Sequence, residues 1–379
     1  MRIIPYGKHH ITEEDIRDVI KVLKSEYITQ GPVIQDFEKA LCNKLNVPYA
    51  VTFNSGTSAL HGAYFALDLP VETEFITSPI TFVATSNAGL YLGLKPVFCD
   101  VELGTGNIDP EKIEELITKK TGFLVPVHYS GHPADLEKIR DLANHYNLKI
   151  IEDASHALGA TYKNSVIGDC EYSDMAIFSF HPVKHVATGE GGVVMTRNKD
   201  YYDRLIQFRT HGLTREKLYH SSPGPWYYEM QYLGYNYRLT DFQAALGKSQ
   251  LRRLDENIRR RREIAENYNH NFKNDPRIIT YPEQDYAKSA YHLYPARMSD
   301  PTKRKKTFEK LREHGIYVQV HYIPVYQQPF YQDSGYKNIL CKSAEAFYNS
   351  EISLPMYPTL SEEDQAFVIN TLKKILDES

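Results

Sequence analysis

Apolar positions recur along this chain first at helical spacing and then in short runs. Ile16, Val19, Ile20 and Leu23 fall on one side of a helix with 3.6 residues per turn. Thr12 and Asp15 form the capping-box-like pair that would start it. A second amphipathic helix is predicted over 33–45. From residue 50 the pattern changes, and short apolar runs at 50–53, 75–78, 96–100, 122–127, 149–153, 175–179 and 192–196 read as strands. Helical stretches separate several of them. The stretch at 110–119 has Asp109 as its N-cap and Pro110 at its first position. Strands alternating with helices predict βαβ units, and so an α/β fold with a mostly parallel, seven-stranded sheet covered on both faces. Ligands of such sheets bind beyond the carboxyl ends of the strands.

The C-terminal third reads differently. A long helix over 241–272 leads to a strand at 291–298, a helix at 302–314, a strand at 316–322 and terminal helices. The last of these starts at Ser361 and Asp364. These elements predict a large domain over 1–245 and a smaller α/β domain over 246–379. The basic run at 259–262 lies within a helical pattern and reads as a solvated helix face.

Composition narrows the classes. The 379 residues suffice for one large and one smaller core. A 42% hydrophobic and 24% charged chain is an ordinary globular protein. A formal net charge of -4 argues against a general nucleic-acid binder, yet leaves room for a local phosphate pocket. No apolar leader opens the chain, and no run approaches the ~18 apolar residues of a membrane span. Cys42, Cys99, Cys170 and Cys341 are scattered without metal-ligand spacing, so no metal site is expected, and free thiols in a reducing cytoplasm are. The 29 tyrosines suit a polar pocket or an oligomer interface.

Three segments sit just past predicted strands and carry polar chemistry. Asn54-Ser55-Gly56-Thr57-Ser58 has the small residues and hydroxyls of a phosphate cradle at a helix N-terminus, and equally those of an ordinary cap. In Glu152-Asp153-Ala154-Ser155-His156, Asp153 suits a carboxylate that keeps a pyridine nitrogen protonated, or a helix cap. His156 could reach a phenolic oxygen on the same ring or be a satisfied pocket histidine. Lys184 closes Ser179-Phe180-His181-Pro182-Val183-Lys184 and precedes the glycine-rich turn Gly189-Glu190-Gly191-Gly192. That placement suits an amine nucleophile held close to backbone, although most lysines are surface charges.

Taken in order, N-S-G-T, E-D-A-S-H-A-L-G-A, S-F-H-x-x-K, G-E-G-G and G-Y-N-Y-R-L-T-D-F-Q-A-A-L-G resemble the DegT/DnrJ/StrS family of sugar aminotransferases, which are fold type I enzymes dependent on pyridoxal phosphate (PLP). The resemblance runs from Pro5-Tyr6 and Thr29-Gln30-Gly31-Pro32 to Ile352-Ser353-Leu354-Pro355. It implies that Lys184 bonds PLP covalently, that Asp153 pairs with the pyridine nitrogen, and that Phe82 stacks on the ring. Read alone, Phe82 is a core aromatic. The resemblance further implies that His156 faces the phenolic oxygen and that Gly56, Thr57 and Ser179 hold the phosphate. Asn236 would reach the cofactor of a neighbouring subunit, so that a homodimer shares its sites. Arg238 is assigned to the donor carboxylate, or to a surface salt bridge. Tyr6, Thr29, Gln30, His321 and Tyr322 are assigned to substrate.

The implied reaction is ping-pong. An amino acid, by family analogy L-glutamate, leaves its amine on the cofactor as pyridoxamine phosphate (PMP), and a keto sugar then takes it. A sister group in the family dehydrates its sugar and has histidine where this chain has Lys184, so transamination is implied here. The stretch 317–327 is most similar to members that aminate C4 of a UDP-linked 4-keto-6-deoxy-N-acetylhexosamine, as in pseudaminic acid biosynthesis. A C3 or C4 aminotransferase of a dTDP- or GDP-linked sugar is the alternative. A non-catalytic regulator on this fold is a remoter one, since a regulator needs neither Lys184 nor Asp153.

Overall fold

The structure is a computed structural model describing residues 2–378; Met1 and Ser379, at the ends of the two expected domains, lie outside the described residues. Seven strands form the central sheet: β1 Tyr49–Phe53, β2 Glu74–Thr77, β3 Lys95–Phe98, β4 Thr121–Val125, β5 Lys149–Asp153, β6 Met175–Ser179 and β7 Gly192–Thr196. Their order is β1-β7-β6-β5-β4-β2-β3. All neighbours run parallel except β7, which is antiparallel to both β1 and β6. All seven predicted strands are present. Phe53, Phe75, Phe123, Ile151, Ile177 and Val194 are buried in one apolar layer.

The first two helices, α1 Glu13–Leu23 and α2 Pro32–Leu45, precede the sheet. Thr12 and Asp15 make both bonds of the capping box. The apolar face predicted for α1 is not buried, however: Ile16, Ile20 and Leu23 are exposed, and Asp15 and Val22 point inward instead. The reason lies elsewhere in the chain, since Arg253 Nη2 holds Asp15 Oδ2 at 2.5 Å and turns that side of the helix toward the protein.

Between strands come α3 Gly56–Ala66, α4 Ala84–Leu90, α5 Leu136–Tyr146 and, after β7, α6 Lys199–Arg209. The helix predicted over 110–119 is instead two single 3-10 turns, Pro110–Lys112 and Glu114–Leu116. Asp109 does cap the first, but Thr118 ends the second by binding Thr121 Oγ1 through its amide and Glu74 through its hydroxyl.

The long helix predicted over 241–272 is also two, α7 Asp241–Leu251 and α8 Leu254–Phe272. The break frees Arg252 to pair with Glu14 and Asp18, and Arg253 with Asp15. Beyond α8 come β8 Ile278–Ile279, β9 Tyr294–Met298, α9 Arg304–Glu313, α10 Lys342–Ser350, β10 Glu351–Leu354 and α11 Glu362–Asp377. β8, β9 and β10 form an antiparallel sheet with β9 central. β10 was not predicted. Of the strand predicted over 316–322 only Ile316–Tyr317 is regular, paired in parallel with Ile4–Pro5. After it the chain turns, and His321 and Tyr322 enter a pocket rather than alternating along a ladder. Among the described residues no helix is long and apolar enough to cross a membrane.

Candidate active site

A cavity of about 490 Å³ opens at the carboxyl ends of β5 and β6. Local sequence builds its floor. β1 ends at Phe53, and Ser55 caps α3 through a reciprocal pair with Ser58. That leaves the first amides of α3, at Gly56 and Thr57, without an intrahelical acceptor. A Cβ on residue 56 would lie 2.8 Å from Ser179 Cβ, so glycine is required where α3 meets the end of β6. Gly192 pairs with both Phe53 and Ser179 in the ladder, which fixes the two turns side by side.

Asp153 ends β5 and is 5% exposed. Its Oδ2 accepts from Thr85 Oγ1 at 2.6 Å, and its Oδ1 from the Ser155 amide at 3.2 Å. No α-helix begins there, so capping does not explain this carboxylate. His156 is buried beside it, with Nε2 3.2 Å from Tyr322 Oη and Nδ1 without a partner among the described residues. Burial, reinforced by the charge of Lys184, keeps His156 neutral, well below the ordinary histidine range.

Lys184 Nζ lies 3.5 Å from His292 Nε2. Desolvation pushes the amine down to about 7; the charge of Asp153 works against this and Arg261 adds to it. Arg261 is itself a correction to the solvated basic face predicted over 259–262. It is 1% exposed and donates to the carbonyls of Tyr291, His292 and Met356 at 3.0–3.2 Å. Those bonds engage Nη1 of a guanidinium that charge patterning alone places in water.

Phe82 is 60% exposed on the pocket rim, 6.3 Å from the Tyr322 ring, so it is not a core aromatic. Tyr6, His321 and Tyr322 form the facing wall. The cavity thus gathers Tyr6, Gly56, Thr57, Phe82, Asp153, His156, Ser179, Lys184, His321 and Tyr322. It does not gather Thr29, Gln30, Asn236 or Arg238. Thr29 bridges Thr240 and Asn236 bridges Thr210, both away from the cavity of their own chain.

Sequence reasoning missed Thr85, Ser155, Glu190 and His292, all of which line the cavity. Ser155 and Glu190 stand inside the segments 152–156 and 189–192, and Thr85 lies three residues after Phe82, so proximity is a usable signal. His292 is one histidine in an aromatic stretch and offers none.

The model of the DegT/DnrJ/EryC1/StrS aminotransferase family matches residues 9–373. The chain belongs to that family. Among its relatives, the UDP-4-amino-4,6-dideoxy-N-acetyl-beta-L-altrosamine transaminase of Campylobacter jejuni (serotype O:2) is 40% identical, over 99% of this chain and 98% of that protein. Helicobacter pylori PseC, an aminotransferase of pseudaminic acid biosynthesis, superposes with a TM-score of 0.94 at 36% identity, with all of both chains covered. Spr1654 of Streptococcus pneumoniae, solved in a PMP form, has a TM-score of 0.91 at 30% identity over 99% of each chain. It has also been solved in a PLP form.

The site of this family member fits such a cofactor. His156, whose buried Nδ1 has no partner among the described residues, lines a cavity of the right chemistry that it shares with a desolvated amine and a buried carboxylate. The cradle at Gly56 admits no Cβ, and its free amides suit a phosphate.

Proposed function

We propose that this chain is a PLP-dependent nucleotide-sugar aminotransferase that carries an amino group from L-glutamate to C4 of a UDP-linked 4-keto-6-deoxy-N-acetylhexosamine. One observation carries the reading: the Lys184 amine, which desolvation pushes down to about 7, shares a cavity with the buried carboxylate of Asp153. The likeness to the C. jejuni transaminase and to PseC supports the sugar and the position aminated.

Bound PLP supplies an electron sink that stabilises negative charge on carbon next to the reacting nitrogen. Lys184 holds the cofactor and, once released, its neutral Nζ takes a proton from the donor's α-carbon and later returns one to C4 of the sugar. Asp153, held by Thr85 and the Ser155 amide, keeps the pyridine nitrogen protonated. His156 would bind the phenolic oxygen, Phe82 would stack on the ring, and Gly56, Thr57 and Ser179 would hold the phosphate. Tyr6, His321 and Tyr322 receive the sugar nucleotide.

We assign Asn236, Arg238, Thr29 and Gln30 to the site of a second copy in a homodimer, with Asn236 on the partner's cofactor and Arg238 on the donor carboxylate. Apolar residues left in water support this, among them Ile16, Ile20, Tyr27 and Ile28, and Trp226, Met230 and Leu233 on the segment before Asn236. We place a domain boundary between residues 245 and 246, supported by the packing of Ile264, Ala265, Tyr268 and Phe272 of α8 in the C-terminal core. Four free thiols suit the reducing cytoplasm, where we locate the enzyme.

The test is an assay with glutamate and UDP- and dTDP-linked 4-keto sugars, the product read by NMR. The reading predicts an amine at C4 of the UDP-linked sugar and none with Lys184→Ala. Product from the dTDP sugars alone would reject the substrate assignment.

A further inference from the structure

A buried chain of three side chains runs from the C-terminal core to the pocket. Glu351 opens β10 at 0% exposure and takes the backbone N–H of His321 on Oε2 at 2.9 Å. Its Oε1 shares a short hydrogen bond with Ser353 Oγ. Ser353 Oγ in turn lies 2.8 Å from His321 Nδ1. The His321 carbonyl accepts from Tyr129 Oη at 2.8 Å, and its ring sits between Tyr6 and Tyr322. Its amide, carbonyl and Nδ1 are therefore all engaged. Nε2 alone has no partner among the described residues, and His321 lines the pocket.

Such a chain has two self-consistent directions. With Glu351 ionised, Ser353 donates to the carboxylate, His321 Nδ1–H donates to Ser353, and Nε2 is an acceptor. A proton arriving at Nε2 reverses every bond. Nδ1 gives its proton to Ser353, Ser353 gives its own to Glu351, and the ring stays neutral with Nε2–H now a donor. We propose that Glu351 and Ser353 are positioning residues that set which ring nitrogen of His321 carries the proton. His321 then offers the keto sugar a donor when Glu351 is protonated and an acceptor when it is ionised.

The surroundings fit this. The charged and titratable groups about Glu351 are Arg304 of α9, Arg297 opposite it on β9, Tyr129, Tyr322 and His321. Burial outweighs Arg304 and both hydrogen bonds, and pushes the carboxyl up to about 8. His321 itself is held down to about 3 by burial and by Lys184, so its tautomer changes and its charge does not. The inference rests on the nucleotide-sugar reading for its ligand. Such a ligand carries more carbonyl and phosphate oxygens than donors, so the donor form binds it better.

The experiment follows the two half-reactions of the holoenzyme separately by stopped flow. From about pH 7 to 9 the Michaelis constant for the UDP-4-keto sugar should rise roughly fivefold, the worth of one hydrogen bond. Glu351→Gln should hold it flat at the low-pH value, because the amide can only donate to Ser353 while its oxygen accepts from His321. The glutamate half-reaction should keep its wild-type profile in this variant. A wild-type sugar profile in both Glu351→Gln and Ser353→Ala overturns the proposal.

A second readout needs no turnover. In ¹⁵N-histidine spectra, with His321 assigned through His321→Asn, Nε2 should pass from protonated to unprotonated near pH 8 in wild type. It should not do so in Glu351→Gln, or in Ser353→Ala if the first variant fails to fold. A single His321 tautomer throughout overturns the proposal even if the sugar assignment stands. Absence of sugar turnover with the tautomer change present rejects the substrate reading alone.

Discussion

The desolvated state of Lys184 makes a quantitative prediction about cofactor capture. An amine attacks an aldehyde only when neutral. At pH 7 an ordinary lysine side chain is neutral in roughly one molecule in 2,500. Lys184, lowered to about 7 by burial, is neutral in about half. The sign follows from its surroundings: burial penalises the ammonium, and Arg261 penalises it further, whereas the carboxylate of Asp153 favours it. Apoprotein mixed with PLP in a stopped-flow instrument should gain absorbance near ~420 nm. The capture rate should level off above about pH 8 and fall about tenfold per pH unit below about 6. Asp153→Asn should move that bend to lower pH, since it removes the group that lifts the amine. Lys184→Ala should show no capture. A wild-type rate that still climbs tenfold per unit at pH 9 would refute the reasoning, because Lys184 would then be an ordinary solvated lysine.

Two further outcomes are expected. Thr85→Val removes the 2.6 Å bond to Asp153 Oδ2, worth about 2 kcal/mol as a bond to a charged group, so PLP affinity should fall by up to roughly thirtyfold in a fluorescence titration. An unchanged affinity would show that Thr85 does not tune the carboxylate. Mixing Lys184→Ala with Asn236→Ala subunits should restore part of the activity that each lacks. Mixed dimers without activity would place Asn236 outside the partner's site.

The parts of this protein that were legible in its sequence are those built from contiguous residues. Each sheet strand is a short apolar run flanked by polar turns, and both faces of the sheet are covered, so burial requires no further information. Gly56, Asp153 and Lys184 each stand just past such a run, and strand geometry alone carries them to one edge of the sheet. The helix boundaries were less legible. The 241–272 pattern is continuous in sequence, yet Arg252 and Arg253 break it to reach carboxylates on α1, more than 230 residues away in the chain.

What only the tertiary structure decided depends on partners far apart in sequence. Thr85 meets Asp153 across 68 residues, and Lys184 meets His292 across 108. Arg261 looks like surface charge until three carbonyls from two other segments close around it. Glu351 sits in a buried strand whose place beside His321 is set by the sheet, and that burial raises its carboxyl. The sequence by itself thus determined the sheet and which side chains stand at its carboxyl edge, because hydrophobic periodicity is local. Protonation states, the tautomer of His321 and the buried face of α1 were left to the folded chain. Desolvation and hydrogen bonding act between atoms brought together only when distant segments pack.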